Sequence, residues 1–184
     1  MKYFFTADQH FGHENIITFT NRPFDSLHEM HSVMTDRWNA KITNEDIVYC
    51  LGDFSLASKG KTREYLSRLK GQIKIVPGGH DKWIRQEDRD SGLVIDKLTI
   101  IKVAYNGESI PISMCHYPMY SWEKSHYGAP HFHGHSHGNI GTVRDGNDLL
   151  HGGMKQGRSI DVGVDCWGFY PMELDELLQI ALKE

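Results

Sequence analysis

At 184 residues the chain can bury one sizeable core without splitting, and it reads as a single domain over residues 1–184. With 39% hydrophobic and 24% charged residues it lies far from the polar, highly charged compositions that stay disordered. A formal net charge of −4 excludes a broad cationic field, so no extended nucleic-acid surface is expected, whereas a small phosphorylated substrate is compatible.

Cys50, Cys115 and Cys166 are odd in number and widely spaced, which suits neither a disulfide framework nor a C-x-x-C knuckle; a reducing, cytoplasmic setting is expected. The apolar run from Met1 to Phe5 is cut off at Asp8, too short for a signal peptide or a bilayer span, so no membrane partner is expected. The unusual feature is 12 histidines, because imidazole is both a common metal ligand and the group that titrates near neutrality.

Lys2 to Thr6 predicts a first buried strand that delivers Asp8 and His10 at its carboxyl end. Ser26 can cap a helix whose apolar face is Leu27, Met30, Met34, Trp38 and Ile42. A second strand is expected over Asp46 to Leu51, ending at Gly52-Asp53, followed by a helix from about Thr62 to Leu69. Ile73 to Val76 is a third strand, stopped by Pro77-Gly78-Gly79 just before His80-Asp81. Strands alternating with helices imply an α/β fold with parallel pairing and right-handed crossovers, in which ligands gather beyond the carboxyl ends of the strands.

Further on, Leu98 to Tyr105 and Ser109 to Cys115 form a hairpin around Asn106-Gly107. Ser121 to Ser159 is rich in Gly, His, Ser and Asn and predicts long loops around short strands. A last strand over Ser159 to Val164 and an amphipathic helix over Glu173 to Leu182 close the chain. Trp38, Trp83, Trp122 and Trp167 read as core or rim packing, with Trp122 in a loop that can border a cleft.

Five short polar motifs stand in order: Asp8-Gln9-His10, Gly52-Asp53, Gly78-Gly79-His80-Asp81, His116, and Gly134-His135-Ser136-His137. Each alone is a weak signal, since Asp-x-His is commonly surface polarity, Gly-Asp a turn, and a lone histidine a satisfied core residue. Each nevertheless falls at a predicted strand end. On an extended chain the alternate pairs 8/10 and 135/137 would point the same way. Mixed carboxylate and imidazole donors suit Mn, Fe, Zn, Co or Ni better than Ca or Mg, with manganese favoured. No C-x5-R signature offers a covalent nucleophile.

In this order the motifs resemble the calcineurin-like metallophosphoesterase family, whose run is D-x-H, G-D, G-N-H-D, H and G-H-x-H. The likeness covers most of the chain and is closest to a compact bacterial and phage-type subgroup. That subgroup is matched by Asp8 to Ile17, by Asn21 to Phe24 and by the V-G-V-D-x-W segment Val162 to Trp167. The resemblance implies a four-layer sandwich of two facing mixed β-sheets flanked by α-helices, with a metal site at the strand ends. It further implies two divalent transition-metal ions, one on Asp8, His10, Asp53 and His137, the other on Asp53, His116 and His135, with Asp53 bridging. The implied reaction is hydrolysis of a phosphomonoester or phosphodiester, nucleotide-like, by in-line attack of a metal-bridging hydroxide.

Beside those ligands, His80 is the candidate to protonate the leaving oxygen, with Asp81 orienting its ring. His13 and Arg22 are candidates to touch substrate phosphate, although Arg22 beside Pro23 can also brace a turn. The tract His131, His133, His135, His137 alternates throughout; only its last two members are assigned as ligands, the others being open to a supporting or adventitious metal-binding role. Gly79 stands where the family has asparagine, so the second site loses a neutral donor and is expected to bind more weakly. Two alternatives follow: a weakened binding or regulatory protein on the same fold, and a histidine-rich metal buffer that depends on His131 and His133 as much as on Asp8 and Asp53.

Overall fold

A computed structural model describes residues 1–145 and 157–182. The glycine-rich stretch 146–156, which lies within the predicted loop region, falls outside the described residues. The first sheet is built from β1 (Tyr3–Thr6), β2 (Ile47–Cys50), β3 (Gln72–Ile75) and β9 (Met172–Glu173), in the order β3-β2-β1-β9. β1, β2 and β3 are parallel, with Thr6 opposite Cys50 and Cys50 opposite Ile75; β9 runs antiparallel to β1.

The helices that cover this sheet start where side chains can satisfy their free N–H groups. In α2 (Leu27–Lys41) the Ser26 side chain accepts from Glu29 N, and Met30, Met34 and Trp38 face inward. In α3 (Lys59–Leu66) Ser58 accepts from Lys61 N, which starts the helix a turn before the expected Thr62. Ser58 is the cap that apolar periodicity alone does not register. The short helices α1 (Ile16–Phe19) and α4 (Gln86–Asp90) carry too few residues to show periodicity and were not expected.

The second sheet has the order β4-β5-β6-β8-β7. Its hairpin, β4 (Leu98–Tyr105) with β5 (Glu108–Cys115), pairs from Leu98↔Cys115 to Tyr105↔Glu108. Asn106 and Gly107 take φ of 49° and 82°, the left-handed pair that a two-residue hairpin turn needs. β6 (His131–His133) is parallel to both β5 and β8 (Arg158–Asp161), while β7 (Val143–Asp145) is antiparallel to β8. Both sheets are therefore mixed.

Consecutive strand residues face opposite sides, and that alternation divides the core in two. Phe4, Val48, Cys50 and Ile75 pack with Met30, Met34, Trp38 and Tyr65 of the helices. Phe5, Leu51 and Val76 face Ile112, Met114, Phe132 and Ile160 of the second sheet, with Leu174, Leu177 and Leu178 of α5 (Leu174–Ala181) completing the cluster. Phe5 and Phe132 meet edge to face at 5.0 Å between centroids, which fixes the two sheets against one another. Burying each such side chain contributes roughly 1.5–3 kcal/mol. A bridge between Ala7 and Gly163 joins the chain just beyond β1 to that just beyond β8, so carboxyl ends from both sheets open onto one edge. Among the described residues no helix is long and apolar enough to cross a membrane.

Candidate metal centre

That shared edge is where the polar motifs meet. Asp8 and His10 follow β1, Asp53 follows β2, His80 follows β3, His116 follows β5, and His135 and His137 follow β6. The convergence does not come from extended alternation. Asp8, His10, Asp53, His135 and His137 have φ of 60°, 53°, 52°, 70° and 47°, so each turns the chain through the left-handed region. Non-glycine residues there cost of order 1–3 kcal/mol each, and such strain persists only where surrounding contacts hold it. The contacts are visible: Asp8 N, His10 N and Phe11 N donate to the carbonyls of Gly52, Asp53 and Phe54, continuing the β1–β2 ladder past its regular end.

Two glycines let the loops close on the carboxylates. A Cβ on Gly78 would lie 2.2 Å from Asp53 Oδ1, and one on Gly134 would lie 2.5 Å from Asp8 Oδ2. Neither position can carry a side chain without moving a carboxylate.

Asp8, His10 and His137 offer ligand-type atoms within 4.8 Å of one another, as do Asp53, His116 and His135. Asp53 sits between them, its Oδ2 at 3.7 Å from His10 Nε2 and 3.3 Å from His116 Nε2. His10, Asp53 and His80 form a third such group, so His80, expected beside the ligands, stands within reach of them. His80 is exposed; its backbone N donates to Asp53 Oδ1 at 2.9 Å.

The donor atoms that face this space are buried. Among the described residues Asp8 Oδ1 and His10 Nε2 are buried with no hydrogen-bond partner, and His116 Nε2 is buried with only Asp53 Oδ2 near it, at 3.3 Å. Buried groups of this kind cost free energy unless something pairs with them, and a cation does so for carboxylate and imidazole alike. Burial pushes the Asp8 carboxyl up to about 7 and the His10 imidazole down to about 3, so His10 is neutral, the form that ligates metal. Burial also works against charge on Asp53, but His116, the His80 N–H and His10 outweigh it and hold that carboxyl well below the usual range.

The imidazoles are oriented from behind. His116 Nδ1 lies 2.8 Å from the Leu51 carbonyl, and His137 Nδ1 lies 2.7 Å from Asp165 Oδ2. In each the other nitrogen is left to face outward, as in metal-ligating histidines. Asp165 is the residue that sequence reasoning missed: the V-G-V-D-x-W segment was noticed as a likeness, but nothing in it named a partner.

Two expectations are corrected. Arg22 does not face substrate: its side chain is fully buried, with Nε and Nη2 on the two Asp165 oxygens, Nη2 also on Asp8 O, and Nη1 on Gln9 O. Every edge of the guanidinium is used to clamp the Asp8 loop to Asp165, which leaves none for phosphate. Asp81 does not orient the His80 ring. Its oxygens accept from Phe54 N, Ser55 N, Gly78 N and Trp83 Nε1, so it ties the loop after β3 to the loop after β2. His13 does reach the rim, with its Nδ1 3.2 Å from that of His10 and its ring 5.7 Å from that of His80.

The remaining histidines of the tract turn away. His131 and His133 lie buried on the face of β6 opposite Phe132; His131 sits against Trp122, and its nitrogens meet Ser113 O, Tyr117 O and Met119 N. Among the described residues His133 Nε2, also buried, has no hydrogen-bond partner. At Gly79 an added Cβ would meet only Tyr117 Oη, at 3.3 Å, and that ring packs against His135 at 4.6 Å.

No family model matches the chain. It is 32% identical over 184 residues to the uncharacterized protein MJ1445 of Methanocaldococcus jannaschii, covering 99% of this chain and 92% of that protein. It is 25% identical over 189 residues to the gene 66 protein of Mycobacterium phage D29, covering 89% and 87% of the two chains. The crystal structure of AQ665, a protein of unknown function from Aquifex aeolicus, superposes with a TM-score of 0.66 at 21% identity, over 97% of this chain and 98% of that one, a likeness of fold.

Proposed function

The chain belongs to the family of the uncharacterized Methanocaldococcus jannaschii protein MJ1445, and from that premise we propose that it is a metal-dependent phosphoesterase of the calcineurin-like type. Its substrate is a small phosphomonoester or phosphodiester, nucleotide-like, met in the cytoplasm. The carrying observation is the set of buried donor atoms, Asp8 Oδ1, His10 Nε2 and His116 Nε2, arrayed around an ionised Asp53 at one edge of two sheets. Among the described residues His116 Nε2 has only Asp53 Oδ2 beside it, at 3.3 Å, and the other two atoms have no hydrogen-bond partner; a cation would satisfy all three. The finer architecture belongs to the same proposal: a four-layer sandwich, supported by α2 and α3 on the first sheet and by the Phe5–Phe132 contact between sheets.

Asp8, His10 and His137 would hold one divalent transition metal and His116 and His135 a second, with Asp53 shared; manganese is favoured by the mixed donors. When bound, such a pair acidifies water and withdraws charge from phosphoryl oxygens. The chain's own groups do the rest. His116 and His137 are held by Leu51 O and Asp165, so their free nitrogens cannot swing away. Arg22 fixes the Asp8 loop from below. His80, half exposed and anchored through its backbone to Asp53, carries its imidazole at the mouth, where it can give a proton to a leaving oxygen or balance charge on phosphorus. His13 stands at the same rim and can touch substrate phosphate.

The test is hydrolysis of a chromogenic phosphodiester and a chromogenic monoester by manganese-loaded protein, beside His80→Ala. Turnover that falls by roughly 10²-fold or more in the variant supports the proposal, since general acid catalysis supplies that much; no turnover of either ester by the wild type counts against it. Gly79 favours one second reading, a weakened module that binds but hardly turns over. It predicts an inert wild type and activity that appears with Gly79→Asn.

A further inference from the structure

Beside the loop that carries Gly78, Gly79 and His80 lies a cavity of about 320 Å³. Its walls include Gly78 and Gly79 and the side chains of Lys82, Arg85, Arg89 and Lys97. All four cations are exposed, and among the described residues none is ion-paired with a carboxylate. The one carboxylate in the wall, Asp81, is spent on Phe54 N, Ser55 N, Gly78 N and Trp83 Nε1. Arg85 is braced by donating Nη1 to the carbonyls of Lys82 and Ile84, neutral acceptors that aim the guanidinium without cancelling its charge.

In a chain of net charge −4, four cations against one carboxylate around one concavity give its wall a local excess of positive charge. Concave surfaces lined by one sign focus the field and raise the local concentration of opposite charge. The position matters as much as the charge. Gly78 packs on Asp53 and His80 N donates to it, so the loop forming one wall of the cavity also touches the shared carboxylate of the candidate metal centre.

We propose that this cavity is a subsite for a second phosphoryl group, so that the substrate is a small ester bearing two phosphates rather than one. This rests on the phosphoesterase reading above and narrows its substrate class. The volume fits a phosphate with part of its sugar and some water, at roughly 30 Å³ per water, and is far too small for a nucleic-acid groove contact. Guanidinium and ammonium groups are the donors that charged phosphate oxygens select.

The experiment uses adenosine monophosphate and adenosine diphosphate as probes, titrated calorimetrically into manganese-loaded wild type and the Arg89→Glu/Lys97→Glu variant at constant free manganese. If either probe is consumed, both titrations are run in a His80→Ala background. The diphosphate is expected to bind about tenfold more tightly than the monophosphate to the wild type. In the variant that preference falls below about threefold while the monophosphate affinity holds. Equal affinity of the two probes for the wild type, or a preference that survives charge reversal, overturns the proposal. Lys97→Glu alone, at an exposed turn, carries the test if the double variant fails to fold. Because the readout is equilibrium binding, it is independent of whether any ester is hydrolysed, so loss of the subsite and loss of the enzymatic reading are told apart.

Discussion

Two halves of one alternating histidine tract behave in opposite ways. His131 and His133 belong to β6 and are buried, their rings 5.4 Å apart and 29° from parallel, with Trp122 tilted against His131. His135 and His137 come after the strand has ended, in left-handed conformation, and part company: His135 joins Asp53 and His116, while His137 joins Asp8 and His10. The same residue type at the same spacing is a core side chain where the backbone is extended and a candidate ligand where it is not. The difference is set by Gly134, whose missing Cβ lets Asp8 Oδ2 come close enough to accept from His135 N at 2.8 Å.

The contrast breaks most sharply at the shared carboxylate. Asp53→Ala is expected to cut phosphodiester hydrolysis by roughly 10³-fold or more and to lower the metal count per chain, read by elemental analysis. His131→Phe and His133→Phe, by contrast, should leave that count unchanged. A metal count that falls as far in the His131 and His133 variants as in Asp53→Ala would restore the metal-buffer alternative.

Next in size is the support behind His137. Asp165→Ala removes the acceptor of both His137 Nδ1 and Arg22, and outer partners of ligating histidines are worth 10–100-fold in metal affinity. A titration of metal-free protein with manganese should show that loss; an unchanged affinity would mean that His137 is held by packing alone.

A smaller effect, in the opposite direction, is expected at Gly79. The position has ordinary backbone and only Tyr117 Oη near an added Cβ, so Gly79→Asn can be accommodated with a slight shift of that phenol. It should tighten the second metal and raise turnover several-fold, in the range that a single ligand's support is worth. Equal or lower turnover at saturating manganese would show that the second site is complete without an amide.

The smallest effect bears on stability and sharpens the core half of the comparison. Burial holds the His131 imidazole down to about 4 against an ordinary 6.5. As pH falls below 6.5 the unfolded chain therefore takes up this proton before the folded one does. The stability present above 6.5 is lost progressively down to about 4. Thermal melts of His131→Phe should be lower than wild type at pH 7, because Met119 N and Ser113 O lose their partner, and should fall less steeply with acid. Parallel pH profiles for the two proteins would show that His131 does not contribute to this acid sensitivity.

Much of this molecule is written locally. Alternation at Phe4 and Phe5 assigns the two faces of β1, Ser26 and the Met30, Met34, Trp38 spacing specify α2, and Asn106-Gly107 specifies the hairpin, because each depends on residues within a turn or a pleat of one another. The motif order also put Asp8, His10, Asp53, His116, His135 and His137 at strand ends, and parallel strands deliver their carboxyl ends to one edge. What short-range pattern could not decide is which atoms meet there. Arg22 with Asp165 is a contact across 143 positions, and His135 N with Asp8 across 127. The left-handed turns at Asp8, His10 and Asp53 are imposed by the neighbouring strand rather than by those residues' own preferences. Residue chemistry fixed the kinds of donor and their places along the chain; burial and sheet pairing alone determined that Arg22 and Asp81 brace loops while Asp8 Oδ1, His10 Nε2 and His116 Nε2 are buried together at one edge.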